Sequence, residues 1–552
     1  MRRVPRSMAI ATFASLALVL SACGGDGDDD DNGGGAGGAG GEITVNGCNP
    51  ENPLVPGNTA ETCGGNVLDV TTSKLIHYQT EDAAPENDIA ESIETDDNQN
   101  FTVTIKSDYL FSDGTPVTAE SFVKAWNWTA YGPNGYQGSY FFEPIEGYAD
   151  LQCTGPDEED PCKGGAPAAD AMSGLEVVDE TTFTITTSEK VSNLPVRLGY
   201  TAFSPMPEVF FEDPEAYGAA GSTPVSNGPY VVDEFSENEQ IVLVKNPEYS
   251  GEYAGQVDKI TFKLYTDEAT AYQDAVAGNI DIIDAIPTDN LTDDAWLSDF
   301  QDRGIAREQG VIQMIGINPE VDTRLANPDL RKAISMAIDR ETITEEIFAG
   351  SASPASGWVS PVVDGYKEGQ CGEACVYDPE AAKALWDEAG GIEGDLTLTY
   401  NGDADHGPWT EAACNSIRQA LDVECKATPT VDFATFLTDL GENKVDGLFR
   451  QGWQMDYPSI ENFLVPLYSK GASSNYYNYD DEQFGELNKQ AAAAEDLDAA
   501  NALYQQAEAR LAEDMRIIPL WYTTGHVAWS ERVDNVQINA FGVPVYAEIT
   551  TK

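Results

Sequence analysis

RQGWQMDYPS, residues 450–459, sets an arginine, a tryptophan and an aspartate within seven positions of a strongly acidic chain. Gly452 and Pro458 rule out a continuous helix here. Asp456 is then either a cap or turn residue ahead of Pro458 or a group that meets a ligand. Trp453 is either plain core or cavity lining.

The chain around this stretch is punctuated by local signals. After about Gly310 strands alternate with longer helices. Asn327-Pro328 is a cap with proline at the first helical position, and Leu330, Ile334 and Ile338 recur every fourth residue behind it. Asp378-Pro379 repeats that start, with Gly390 as the stop. Leu396, Leu398 and Tyr400 alternate as a short strand, and Ala500 to Ala512 reads as a helix. Ile517 to Tyr522 and Val536 to Val545 read as strands that return to the first lobe, so two crossings make a hinge.

Earlier, strand signals dominate. Phe101, Val103 and Ile105 alternate with polar residues, as a half-buried strand requires. Thr118 caps a helix that carries Phe122 and Trp126 on one face. Leu175 to Val178 with Phe183 to Ile185, and Tyr230 to Lys245, read as hairpins.

With 552 residues the chain exceeds one compact domain, which implies two or more lobes and a cleft between them. Arg2, Arg3 and Arg6 precede an apolar run from Met8 to Leu20, too short to span a bilayer, so the start reads as an export signal. That run ends in Leu20-Ser21-Ala22-Cys23, which resembles a bacterial lipobox and implies a lipid on Cys23. Gly24 to Gly41 holds only Gly, Ala, Asp and one Asn, the composition of a solvated tether.

Eight cysteines beyond Cys23, an even number in an exported chain, favour disulfides. The sequence-local pairs are Cys48 with Cys63, Cys153 with Cys162, Cys371 with Cys375, and Cys414 with Cys425. Only three histidines exist, none at ligand spacing from a cysteine pair, so no metal site or cofactor is expected. The balance of 30 basic and 94 acidic residues, net −64, repels nucleic acid and anionic headgroups. A hydrolase is disfavoured: neither G-x-S-x-G nor H-E-x-x-H occurs, and adjacent acids such as Asp480-Asp481 arise by chance at this composition.

Six collinear stretches resemble signatures of the family 5 extracellular solute-binding proteins of bacterial ABC importers, the oligopeptide-binding type above all. They are SDYLFSDGTPVTAESFVKAW, NGPYVVDEFSENEQIVLVKNPEYSG, VDKITFKLYTDEATAYQDAVAGNIDI, NPDLRKAISMAIDRETI, GWQMDYPSIENFL and AEARLAEDMRIIPLWY. The resemblance implies a two-lobe, hinged α/β fold of the periplasmic-binding-protein, Venus-flytrap kind, with an extra subdomain in the N-terminal lobe. On this chain that gives a signal peptide at 1–22 and a tether at 23–44. The N-terminal lobe core is expected at 45–72, 190–310 and 517–552, the extra subdomain at 73–189, and the C-terminal lobe at 311–516.

The resemblance also implies site roles. Asp456 would pair with the free ammonium of a bound peptide, and Arg450 would meet a short peptide's carboxylate or instead pair with neighbouring acids. Gly452, Trp453 and Gln454 would line the cleft. Thr59, within the segment Asn58 to Glu61, would contact the ligand backbone, and Tyr136 and Tyr140 would lie near the ligand. An aspartate and an arginine complement a zwitterion, whose charges each cost several kcal/mol to desolvate unpaired.

The expected function is a lipid-anchored, exported, monomeric binding protein that hands short peptides to permease subunits with cytoplasmic ATPases. It performs no catalysis. Alternatives are a nickel chelate, haem, oligosaccharide or other amine-bearing nutrient in the same fold, or a peptide-signal sensor. The acidic loop between Cys153 and Cys162 has no assigned role.

Overall fold

A computed structural model describes residues 40–552 apart from 156–161, 403, 432 and 473, and apart from the side chain of Ala434. The leader, Cys23 and the tether up to residue 39 lie outside the described residues, as does most of the loop between Cys153 and Cys162.

Eleven strands among the described residues form one sheet. From one edge its order is Cys425–Thr430, Leu396–Asn401, Leu448–Gln454, Gly304–Ile317, Ile517–Trp529, Ile282–Ile283, Glu42–Gly47, Lys259–Leu264, Gln240–Lys245 and Tyr230–Ser236. Ala352–Pro354 pairs with Ile517–Trp529 off this path. The strand Glu42–Gly47 begins inside the span read as tether, because Ile43 and Val45 bury beside the parallel strand Lys259–Leu264.

Two long antiparallel strands, Gly304–Ile317 and Ile517–Trp529, join the halves of the sheet. They pair from Gly304 with Ala528 to Glu308 with Thr524, lose register, and resume at Ile312 with Tyr522. On one side of the break Ile305 and Val527 pack on a core built from Val45, Tyr230, Ile260 and Phe262. On the other, Ile312, Ile517 and Trp521 enter a core that holds Trp358 and Trp409. The second crossing therefore comes near Thr523 and not at Ile517, because Ile517 to Tyr522 bury in the far core.

A third core lies under a four-stranded antiparallel sheet ordered Ala90–Thr95, Asn100–Ile105, Thr182–Thr186, Leu175–Val177. Phe101, Val103 and Ile105 are its buried side, as their alternation dictates. The helix Ala119–Ala130 packs on this core through Phe122 and Trp126, and Thr118 caps it with a reciprocal bond from Ser121. Leu194, Leu198, Phe203 and Phe210 join the same core, so the compact unit continues past residue 189.

The helix starts at Asn327-Pro328 and Asp378-Pro379 are capped by those side chains, on the amides of Asp329 at 3.0 Å and Ala381 at 2.9 Å. Gly390 adopts φ +93° behind the second helix, the left-handed geometry a helix stop requires. The segment from Val536 to Val545 is not a strand. The Asn539 side chain accepts from the amides of Phe541 and Val543 at 2.9 and 3.1 Å and folds the chain into a tight return.

Disulfides join Cys48 to Cys63, Cys153 to Cys162, Cys371 to Cys375 and Cys414 to Cys425, with Cα atoms 5.2, 4.6, 5.7 and 5.1 Å apart. The first fastens the end of the strand Glu42–Gly47 to the helix Thr62–Thr71.

Glu508, on the helix Leu497–Asp514, is 1% exposed and accepts from the Trp358 amide at 2.8 Å. Burial, the dominant cause, pushes its carboxyl up to about 7. A folded-state value above the unfolded one of 4.5 means that its stabilising contribution is full below about pH 4.5 and is lost as pH rises through about 7. Glu508→Gln is expected to flatten this decline and to raise stability at pH 8 by about 1–3 kcal/mol, measured by urea unfolding at pH 5, 6.5 and 8.

Candidate functional site

The strand Leu448–Gln454 lies antiparallel to Val311–Ile317, with Gln454 opposite Val311. Beyond Gln454 the chain leaves the sheet and turns. Ser459 then caps the helix Ile460–Tyr468 by accepting from the Glu461 amide at 3.3 Å. The first turn of that helix reaches back to the stretch it follows. Asn462 Oδ1 accepts from the Asp456 amide at 2.9 Å and from Trp453 Nε1 at 3.2 Å, and its Nδ2 donates to Asp456 Oδ2 at 3.0 Å. One amide side chain thus fixes both the backbone and the carboxylate of Asp456.

Asp456 faces an interlobe cavity of about 320 Å³. Thr59, Glu61, Gly65 and Asp69 line it from the start of the N-terminal lobe. Lys74, His77 and Tyr78 follow, with Tyr200 and the loop from Asn539 to Val545. Gln454, Met455 and Asp456 enter from the opposite lobe. Tyr140 crosses the cleft and donates to Asp456 Oδ1 at 3.4 Å. Burial, the largest effect, pushes the Asp456 carboxyl up to about 6 against the pull of the Asn462 and Tyr140 hydrogen bonds; Glu461 adds to the rise and Arg197 opposes it.

Beside the cavity the lobes meet in a polar seam. Arg197 lies 3.2 Å from Glu461, whose carboxylate also accepts from Asn193 Nδ2 and the Tyr457 hydroxyl, each at 2.8 Å. The Arg197 guanidinium stands 5.3 Å from the centroid of the Tyr457 ring. Further along, Asn98 Nδ2 donates to the Ala494 carbonyl at 2.6 Å and Ser192 Oγ to that of Ala491 at 3.1 Å. These bonds run from one lobe to the other.

At the crossing, Gly310 bonds to both walls of the cavity. Its amide donates to the Ala540 carbonyl at 2.9 Å, and its carbonyl accepts from the Met455 amide at 2.8 Å.

Of the residues singled out in the sequence, Asp456, Gln454 and Thr59 line the cavity and Tyr140 touches Asp456. Trp453 lies behind the lining, bonded to Asn462. Arg450 and Gly452 are not among the lining residues: the Arg450 guanidinium stands 5.7 Å from the Phe433 ring centroid, and a Cβ on Gly452 would meet it at 3.2 Å. Tyr136 packs half-buried against the subdomain core and does not reach the lining. Sequence reasoning missed Asn462, Lys74, His77, Tyr78, Tyr200 and the Asn539 loop. Asn462 had a signal, since it sits three residues behind the capping Ser459.

A family model described as "Bacterial extracellular solute-binding proteins, family 5 Middle" matches residues 84–475. The oligopeptide-binding protein OppA of Bacillus subtilis is 24% identical over 532 residues, 94% of each chain. The periplasmic oligopeptide-binding protein OppA of Escherichia coli is 28% identical over 457 residues, 80% of each. Among solved structures, Listeria monocytogenes OppA bound to peptide superposes with TM-score 0.70 at 21% identity, covering 93% of this chain and 99% of that one, a likeness of fold.

Gly65 faces open space on the helix Thr62–Thr71 within the lining. Gly65→Leu is expected to gain about 0.5–1 kcal/mol of stability from helix propensity while its side chain fills the cavity. A raised melting temperature, together with retention of less ligand from a mixed small-molecule pool than the wild type retains in native mass spectrometry, is the expected pair of results.

Proposed function

The chain belongs to family 5 of the bacterial extracellular solute-binding proteins, and from that premise we propose that it captures short peptides between two closing lobes and delivers them to an ABC permease. One observation carries the reading: Asp456 is a cavity-facing carboxylate whose partners among the described residues are Asn462 and Tyr140, with no cation at ion-pair distance. Such a group is expensive to keep charged, and its elevated proton affinity records that cost. The ammonium of a peptide supplies the missing counter-charge.

Ligand capture on this reading shifts an open–closed equilibrium, and the polar seam around Glu461 is part of what the closed form gains. The permease and its ATPases recognise that form, Cys23 holds the chain to the membrane by a lipid, and no covalent chemistry takes place. The curated relatives named for oligopeptide binding support the ligand class. An amine-bearing solute other than a peptide is the second reading, favoured by the same aspartate; a nickel chelate is disfavoured by the scarcity of histidine.

Asp456→Ala is expected to weaken trialanine binding tenfold or more by calorimetry with the fold intact, and N-acetyltrialanine to lose affinity for the wild-type chain similarly. Equal affinity for free and acetylated peptide rejects the ammonium assignment. The pH dependence has a fixed sign. The ammonium needs the ionised carboxylate, so affinity is full above about pH 6 and falls roughly tenfold per unit below it. Titrations at pH 4.5, 5.5 and 7.5 check this.

A further inference from the structure

On the N-terminal lobe the cavity wall holds a buried cation. Lys74 is 8% exposed, and its ammonium contacts Asp69 Oδ1 at 3.3 Å, its one hydrogen-bond and ion-pair partner among the described residues. An ammonium carries three donors, and Asp69 is itself half exposed, so Lys74 retains capacity for a second acceptor. Other charges on the wall are engaged. Glu61 caps the helix Thr62–Thr71, accepting from the amides of Cys63 and Gly64 at 2.6 and 2.9 Å. His77 stacks on Tyr253 with ring centroids 3.7 Å apart, and burial lowers its pKa, which keeps it neutral at pH 7.

Resting on the peptide reading above, we propose that Lys74 binds the ligand's terminal carboxylate while Asp456 holds its ammonium, so that both ends lie inside one cavity and the site selects peptides of two or three residues. Arg450, the cation the sequence nominates for the carboxylate, is absent from the lining, whereas Lys74 and Asp456 enter it from opposite lobes. A zwitterion therefore bridges the lobes with each charge neutralised on a different side, which couples closure to possession of both termini.

Volume supports the short length. At about 320 Å³ it lies near the lower end of ligand cavities. On one side the wall is a hairpin, with a second cavity beyond its tip. The strands Ile76–Tyr78 and Pro85–Asn87 form a hairpin whose tip contributes Gln79, Thr80 and Ala83 to the lining. Ala83, with φ +58°, is 3% exposed within the core of the opposite lobe. Arg307 donates to the carbonyls of Thr80 and of Glu81, the latter at 2.7 Å, and pins the tip in place.

The test is calorimetry with trialanine, its C-terminal amide, N-acetyltrialanine and pentaalanine, on the full chain and on Lys74→Met, Lys74→Arg and Asp456→Asn. For the wild type, amidation and extension to pentaalanine are each expected to cost tenfold or more. Lys74→Met is expected to bind the free acid tenfold or more weaker yet lose its discrimination between acid and amide. Lys74→Arg is expected to keep that discrimination, and Asp456→Asn to lose sensitivity to acetylation alone. If the wild type binds amide and acid equally while acetylation remains costly, the Lys74 assignment falls and the peptide reading stands. Equal weakening of acid and amide in Lys74→Met assigns Lys74 a merely structural role and also overturns it. Pentaalanine bound as tightly as trialanine overturns the length limit. If no peptide binds at all, both readings fall together. Should Lys74→Met not fold, the wild-type acid and amide comparison decides alone.

Discussion

The acid-bearing turn is tied to the crossing between the lobes by one pair of hydrogen bonds at Gly310. The two long strands keep both lobes in a single sheet, and they lose register where Gly310 interrupts them. Instead of bonding across that ladder, Gly310 bonds to Ala540 in one cavity wall and to Met455, the neighbour of Asp456, in the other. A Cβ here would collide with the Met455 side chain, so glycine is what allows the acid-bearing turn to approach the crossing so closely. Ala540 and Met455 both bury in the core that holds Trp358 and Trp409, so these two peptide bonds fasten the crossing to that core directly beside the acid.

Local signals made much of the framework legible before any coordinates. The caps at Thr118, Asn327 and Asp378 and the alternation of Phe101, Val103 and Ile105 depend on residues within one turn or one strand of each other, and they fold as read. The segment from Val536 to Val545 misled because its apolar residues imitate a strand, while a single side chain, Asn539, redirects the backbone. Arg450 and Asp456 lie six positions apart, and reading them as one charge pair assumed a common face. The strand ends at Gln454, the chain turns, and the two side chains part company. Lys74 and the hairpin tip gave no signal, since their position in the wall depends on contacts with segments hundreds of residues away.

Composition was a poor guide to the ligand. Among 94 acidic residues, residue type cannot single out one, and the chain's charge reflects a solvated surface. What distinguishes Asp456 is its setting: partial access to the cavity only, an asparagine that fixes its rotamer, and a tyrosine from the facing lobe. The same contrast holds for Glu508 and Glu461, which are 1% and 3% exposed yet serve different ends, one inside a lobe and one across the seam.

The hairpin Ile76–Asn87 bears on how long a guest stays. Its tip is moored to its own lobe by Arg307, yet Ala83 is lodged in the interior of the other. A loop that is both anchored and inserted is poorly suited to flicker aside and let a molecule slip out. Clearing that side of the cleft then requires the lobes themselves to move, a collective motion of microseconds to milliseconds and slower than the flicker of a free loop.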